Sequence, residues 1–179
     1  KIYRVSHEFG HFLPYWRPGA DYKVGYAVKK ETGGGILLDD IHEYDLLFWL
    51  LDFKDPIESH IIKNKTGNIT EDSEDQATAM FLFPGGIIGT VTSDYLSQSY
   101  RRSIVIIGEK GNITWNLKEN IVWLETKDGK KEIFGNKEYD LGEMYLREIE
   151  YFLDCVSKRK ETENSISRAA RLLNQMNIK

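Results

Sequence analysis

The sequence predicts an α+β domain: an open, largely antiparallel sheet with its helices on one face. Short β-type runs recur from about residue 56 to 134, and Gly-containing turns such as "PGG" (84–86), "GEKG" (108–111) and "DGK" (128–130) separate several of them. A helical stretch precedes this run and two more follow it. Strands grouped together, with helices before and after, form an antiparallel or mixed sheet covered on one side.

In chain order, residues 2–9 ("IYRVSHEF") alternate as a strand. Residues 10–23 ("GHFLPYWRPGADYK") carry prolines, glycines and aromatics, which makes an ordered loop, because aromatic rings need somewhere to pack. A helix is expected over about 33–52, entered through "GGG". These glycines either let a backbone or ligand approach closely or simply loosen the helix entrance. Strands are expected over 56–64, 75–83, 86–96, 101–107, 111–117, 120–126 and 130–134. Helical spacing returns over 143–158 and over 165–177, the latter with Ser165 suited to cap its start. Met80, Leu82, Ile87, Val91 and Val105 look too apolar for a solvated sheet face. That face either meets a partner subunit or lies under the tail helices.

A chain of 179 residues, 41% apolar and 29% charged, suits a single globular domain over 1–179. The net charge of −4 offers no footprint for nucleic acid or an anionic membrane. Nothing reads as a membrane span or signal peptide, and the lone Cys155 fits a reducing cytoplasm and a buried apolar position. The sequons at Asn64, Asn68 and Asn112 are read as chance strings. The chain opens in a strand without Met and is read as a fragment of a longer protein. It contains no G-x-G-x-x-G, P-loop or G-x-S-x-G motif, and its scattered histidines suggest no metal.

Two groups of residues could carry chemistry. Asp39, His42 and Asp45 are spaced by three, so on a continuous helix they form one polar ridge, opposite Leu37, Ile41, Tyr44, Phe48 and Leu51. The ridge is either a proton-exchanging histidine flanked by carboxylates or a solvated stripe. In the loop, Trp16 and Tyr22 offer flat faces for a sugar or base, Arg17 a fork for an anion, and Asp21 an acceptor for hydroxyls. Alternatively, Arg17 and Asp21 pair and lock the loop.

"GGGILLDDIHEYDLLFWL" resembles the signature helix of the Gfo/Idh/MocA oxidoreductases, and "VIIGEKGNITWNL" resembles a late-strand element of their C-terminal domain. The loop and signature together are most similar to a bacterial subgroup linked to surface sugars. The resemblance implies the substrate and oligomerisation domain of an enzyme whose Rossmann domain is absent here and binds NAD or NADP. The implied substrate is a sugar or nucleotide-sugar-like molecule, and the open sheet face is implied to join subunits. By position, His42 would be catalytic and Asp39 would support it. Trp16, Arg17, Asp21, Tyr22 and Asp45 would contact substrate, and the isolated fragment would be inactive. The commonest family spacing is Asp-x-x-x-His, whereas here Asp39-x-x-His42 is one residue shorter. That turns the Asp by about 100° around a helix. The competing readings are a non-catalytic binding or dimerisation module and a domain of the biliverdin reductase type.

Overall fold

The computed structural model describes residues 1–176 apart from 137 and 139. Eight strands form one sheet: β1 (Ile2–Phe12), β2 (Glu58–Asn64), β3 (Gln76–Phe83), β4 (Ile87–Asp94), β5 (Leu96–Gly108), β6 (Gly111–Asn116), β7 (Ile121–Thr126) and β8 (Gly129–Gly135). The helices are α1 (Leu13–Trp16), α2 (Ile36–Asp39), α3 (Ile41–Leu50), α4 (Leu141–Ser157) and α5 (Ile166–Gln175), and short 3₁₀ turns connect α1 to α2. The strand order is β2-β3-β4-β1-β5-β6-β7-β8. Every neighbouring pair is antiparallel except β1 with β4. The chain leaves β4, passes Tyr95 and starts β5 on the far side of β1, so the first strand ends up at the centre.

The expected turns form where glycine can take positive φ: Gly85 and Gly86 after β3, Gly111 at the start of β6 and Gly129 at the start of β8. Ser165 caps α5, its side chain accepting from the Arg168 amide at 3.4 Å. Residue 177, the end of the expected last helix, lies outside the described residues.

One face of the sheet is covered. Val5, His7, Phe9 and His11 alternate inward along β1, and Ala77, Ala79, Phe81 and Phe83 along β3. Leu37, Tyr44, Leu47, Phe48 and Leu51 pack down on them from α2, α3 and the end of α3. The aliphatic residues expected on one apolar face divide between two. Val91 is fully buried and Ile87 packs on the core, whereas Met80 is exposed on the opposite face, where Leu82 pairs with exposed Ile88 and Val105 pairs with Ser6.

The expected continuous helix over 33–52 is interrupted. Residues 30–32 form a 3₁₀ turn, Gly33 and Gly35 have positive φ, and α2 ends at Asp39 before α3 begins at Ile41. The glycine run is a packing device. A Cβ on Gly34 would lie 2.6 Å from the carbonyl oxygens of Ala27 and Lys29. A Cβ on Gly35 would lie 2.6 Å from the Glu74 carboxyl. Close approach of the chain's own backbone therefore requires Gly34, and a positive φ of 113° requires Gly35.

Candidate active site

The break at Asp40 separates the three acids of the expected ridge. Asp39 turns toward the aromatic loop, where Tyr95 Oη donates to its Oδ2 at 2.7 Å and Tyr26 Oη donates to its Oδ1. This bond and burial push the Tyr26 hydroxyl up to about 12. Asp45 faces the other way, accepting from Asn164 Nδ2 at 3.0 Å just before α5. Neither Asp39 nor Asp45 touches His42.

The carboxylate that does touch His42 is Glu43, whose Oε1 lies 3.0 Å from His42 Nε2. Glu43 is fully buried while the His42 side chain is 58% exposed. Behind Glu43, His7 Nε2 lies 2.6 Å from Oε2. Arg102 closes the cluster as a fork, with Nε donating to Oε2 and Nη2 beside Oε1, each at 3.0 Å. Strand register explains the convergence. Phe9 of β1 pairs with Arg102 of β5, so both side chains share a face, and His7, two residues along, shares it too. That face lies beneath the first turn of α3.

Burial would raise the Glu43 carboxyl, but the His42 and His7 imidazoles close beside it and the Arg102 charge hold it down at about 2. The Glu43 carboxylate beside it raises His42, burial opposes this, and the Asp40 charge reinforces it. Asp40 is the reverse case. It is 5% exposed and its Oδ2 is unpartnered among the described residues. Burial first, and the Asp39 charge second, push it up to about 8. Asp40 and Glu43, three residues apart in the stretch, are thus shifted in opposite directions.

The loop builds the second half of the site. Trp16, Arg17, Asp21, Tyr22, Tyr26 and Asp39 line a cavity of ≈ 240 Å³. Asp21 accepts from the Lys23 amide at 3.0 Å and makes no ion pair with Arg17 among the described residues, so the locked-loop alternative is absent. An aromatic wall links this cavity to the histidine. Trp16 stacks with Tyr100 at 6.0 Å, Tyr100 meets Phe9 edge-on at 5.7 Å, and Phe9 meets His42 at 6.2 Å. His11 packs under Trp16 at 4.4 Å.

The structure therefore brings Trp16, Arg17, Asp21, Tyr22 and Asp39 to one cavity, sets His42 at the end of its aromatic wall, and leaves Asp45 outside its lining. Sequence reasoning missed His7, Tyr26, Tyr95, Tyr100 and Arg102, and named Glu43 without a role. One usable signal was present: His7 and His11 fall on the buried phase of β1.

A profile for the GFO/IDH/MocA C-terminal domain matches residues 1–114, more than half of the chain. No curated protein sequence matches. Among solved structures, the chain is similar to levoglucosan dehydrogenase in complex with NADH, with a TM-score of 0.81 at 15% identity over 99% of this chain and 55% of that one. It is also similar to UDP-N-acetylglucosamine 3-dehydrogenase GnnA from Acidithiobacillus ferrooxidans, with a TM-score of 0.75 at 16% identity over 99% and 52%. A third is GenD2 from gentamicin A biosynthesis in complex with NAD, with a TM-score of 0.75 at 18% identity over 99% and 52%. The chain spans about half the length of these structures, and at such identities the likeness carries the fold. With the profile match to residues 1–114, this chain belongs to the GFO/IDH/MocA C-terminal domain family.

Proposed function

We propose that this chain is the substrate domain of an NAD(P)-dependent oxidoreductase acting on a hydroxyl or carbonyl of a sugar or sugar derivative. The observation that carries this reading is the cavity in which the aromatic loop and Asp39 meet beside a half-exposed histidine. Its flat faces and hydrogen-bonding edges suit a sugar ring: Trp16 and Tyr22 stack, Asp21 accepts from hydroxyls, and Arg17 takes an anionic substituent. Levoglucosan dehydrogenase with NADH and GenD2 from gentamicin A biosynthesis with NAD, both among the similar folds, support the same class.

The chain's own residues do not fit a dinucleotide. The glycine run that might have cradled phosphates is filled by the Ala27 and Lys29 carbonyls and by the Glu74 carboxyl, which are acceptors, not donors. The cofactor is therefore assigned to the remainder of the polypeptide, where it supplies the hydride exchange. In this chain His42 exchanges the proton of the reacting hydroxyl, and Asp39 supports catalysis by fixing the Tyr26 and Tyr95 hydroxyls at the cavity wall. Asp45, bonded to Asn164 and outside the cavity lining, is given no substrate contact in this reading. The open sheet face, with Met80 and Ile88 exposed, joins subunits of a homo-oligomer.

The test is nicotinamide reduction, followed optically, by the whole polypeptide with nucleotide sugars and free sugars. His42→Asn is expected to lower turnover by roughly 10²–10⁴-fold with little change in thermal stability. Near-normal turnover sinks the assignment of His42. Residues 1–179 alone should oxidise none of these sugars.

A further inference from the structure

We infer that the open sheet face stacks on a second copy of itself about a two-fold axis crossing β1 at Ser6, so that Arg4 of each copy meets Glu8 of the other. This pairing rests on the homo-oligomer reading above and adds to it the register of the contact. β1 lies inside the sheet, between β4 and β5. Val5 and His7 are buried under the helices, so Arg4, Ser6 and Glu8 alternate onto the open face. Arg4 and Glu8 are exposed, and neither makes an ion pair among the described residues. The other two charges that β4, β1 and β5 bring to this face, Asp94 and Arg101, pair with each other at 3.2 Å. The middle of the face is therefore left with one unpaired cation and one unpaired anion among the described residues. At ~3.3 Å per residue they stand about 13 Å apart along the strand.

An occupant that satisfies both must set an anion over Arg4 and a cation over Glu8 at that same spacing. A second β1, run in reverse, does so. Stacked sheets lie about 10 Å apart with their strands within about 30° of one another, a gap that an Arg and a Glu side chain reaching toward each other can span. Ser6, small and half-buried, leaves room at the axis. A two-fold axis perpendicular to β1, lying between the sheets, reverses the strand and joins opposite charges. An axis along β1 sets Arg4 on Arg4 and Glu8 on Glu8, which costs affinity. The reversal also brings Ile88, the exposed neighbour of Arg4 on β4, toward Thr92, the neighbour of Glu8.

The experiment is sedimentation of the whole polypeptide over a dilution series. The expected result is a self-associating wild type whose dissociation constant rises roughly 10²-fold or more with Arg4→Glu or with Glu8→Arg, because the two-fold repeats each like-charge contact. The double variant Arg4→Glu/Glu8→Arg should return to within about tenfold of the wild type. A monomeric wild type overturns the pairing, as do single reversals that associate like the wild type, or a folded double variant that stays dissociated. Ser6→Cys with a short bismaleimide supplies a second measurement that needs no charge reversal. Copies should be joined through position 6 beyond the wild-type background, and the absence of that product also overturns the pairing. The readings fail separately. An oligomer indifferent to both reversals leaves the homo-oligomer standing without this register, and sedimentation reports on Arg4 and Glu8 whether or not any sugar is oxidised.

Discussion

The two halves of the sheet make different use of similar residues. In the inner half, β3, β4 and β1 are closed over by α2 and α3, and Val5, Ala79, Phe81, Phe83 and Val91 lose all exposure. In the outer half, among the described residues of β6, β7 and β8, only Ile121 is buried. Yet the outer half is not polar: Phe134 on β8 stands more than half exposed, as do Leu146, Ile149, Phe152 and Val156 on α4, the helix that follows β8 in the chain. Apolar content alone therefore does not locate the core. Closure by a second layer does, and the candidate site sits where that layer begins.

The comparison breaks or holds most visibly at Phe81. It packs edge-on against Phe48 at 5.3 Å and beside Phe83 at 6.0 Å. Phe81→Ala deletes a ring from a closed layer and should cost about 3–5 kcal/mol of unfolding free energy in urea titrations. A loss below about 1 kcal/mol would show that the inner half is not the stabilising one.

A second effect, somewhat smaller, is expected from Asp40, at the seam between α2 and α3. Its folded pKa of about 8 stands above the ordinary carboxylate value of 3.8. The unfolded chain ionises Asp40 first, so its burial takes up a proton, and the stability penalty grows as pH rises from about 4 to about 8. Asp40→Asn should match the wild type near pH 4 and exceed it by roughly 2–4 kcal/mol at pH 8. Glu43 runs the opposite way. Its folded pKa of about 2 lies below 4.5, so its contribution is present above pH 4.5 and fades as pH falls toward 2. Equal stability of Asp40→Asn and the wild type at both pH values would show that Asp40 is ionised and solvated in the fold.

These two neighbours also mark where sequence reading stops. The strands and hairpins were legible because glycine turns and alternation are local signals, and so was the composition of the loop that reaches the cavity through Trp16, Arg17, Asp21 and Tyr22. The insertion of β1 between β4 and β5 is a long-range pairing that no local pattern announces. The break at Asp40 was hidden because the apolar positions on both sides keep helical spacing. Arg102, 59 residues from Glu43, reaches it only through the register of β1 with β5. Asp39 and His42 were recognisable as chemical groups, but the partner of each depended on the backbone turning between them.

The smallest expected effect lies in the outer half and tests its openness directly. Phe134 is 56% exposed on the edge strand β8, and nothing among the described residues closes over it. Phe134→Ala should change the stability of residues 1–179 by less than about 0.5 kcal/mol, as exposed substitutions generally do. The same substitution is worth measuring in the whole polypeptide. A loss there of more than about 1 kcal/mol, absent from the isolated chain, would mean that the outer half is covered once the protein is complete. Its apolar side chains would then belong to an interface, and the contrast between the halves would be one of timing: the inner half closes within this chain, the outer half against a surface beyond it.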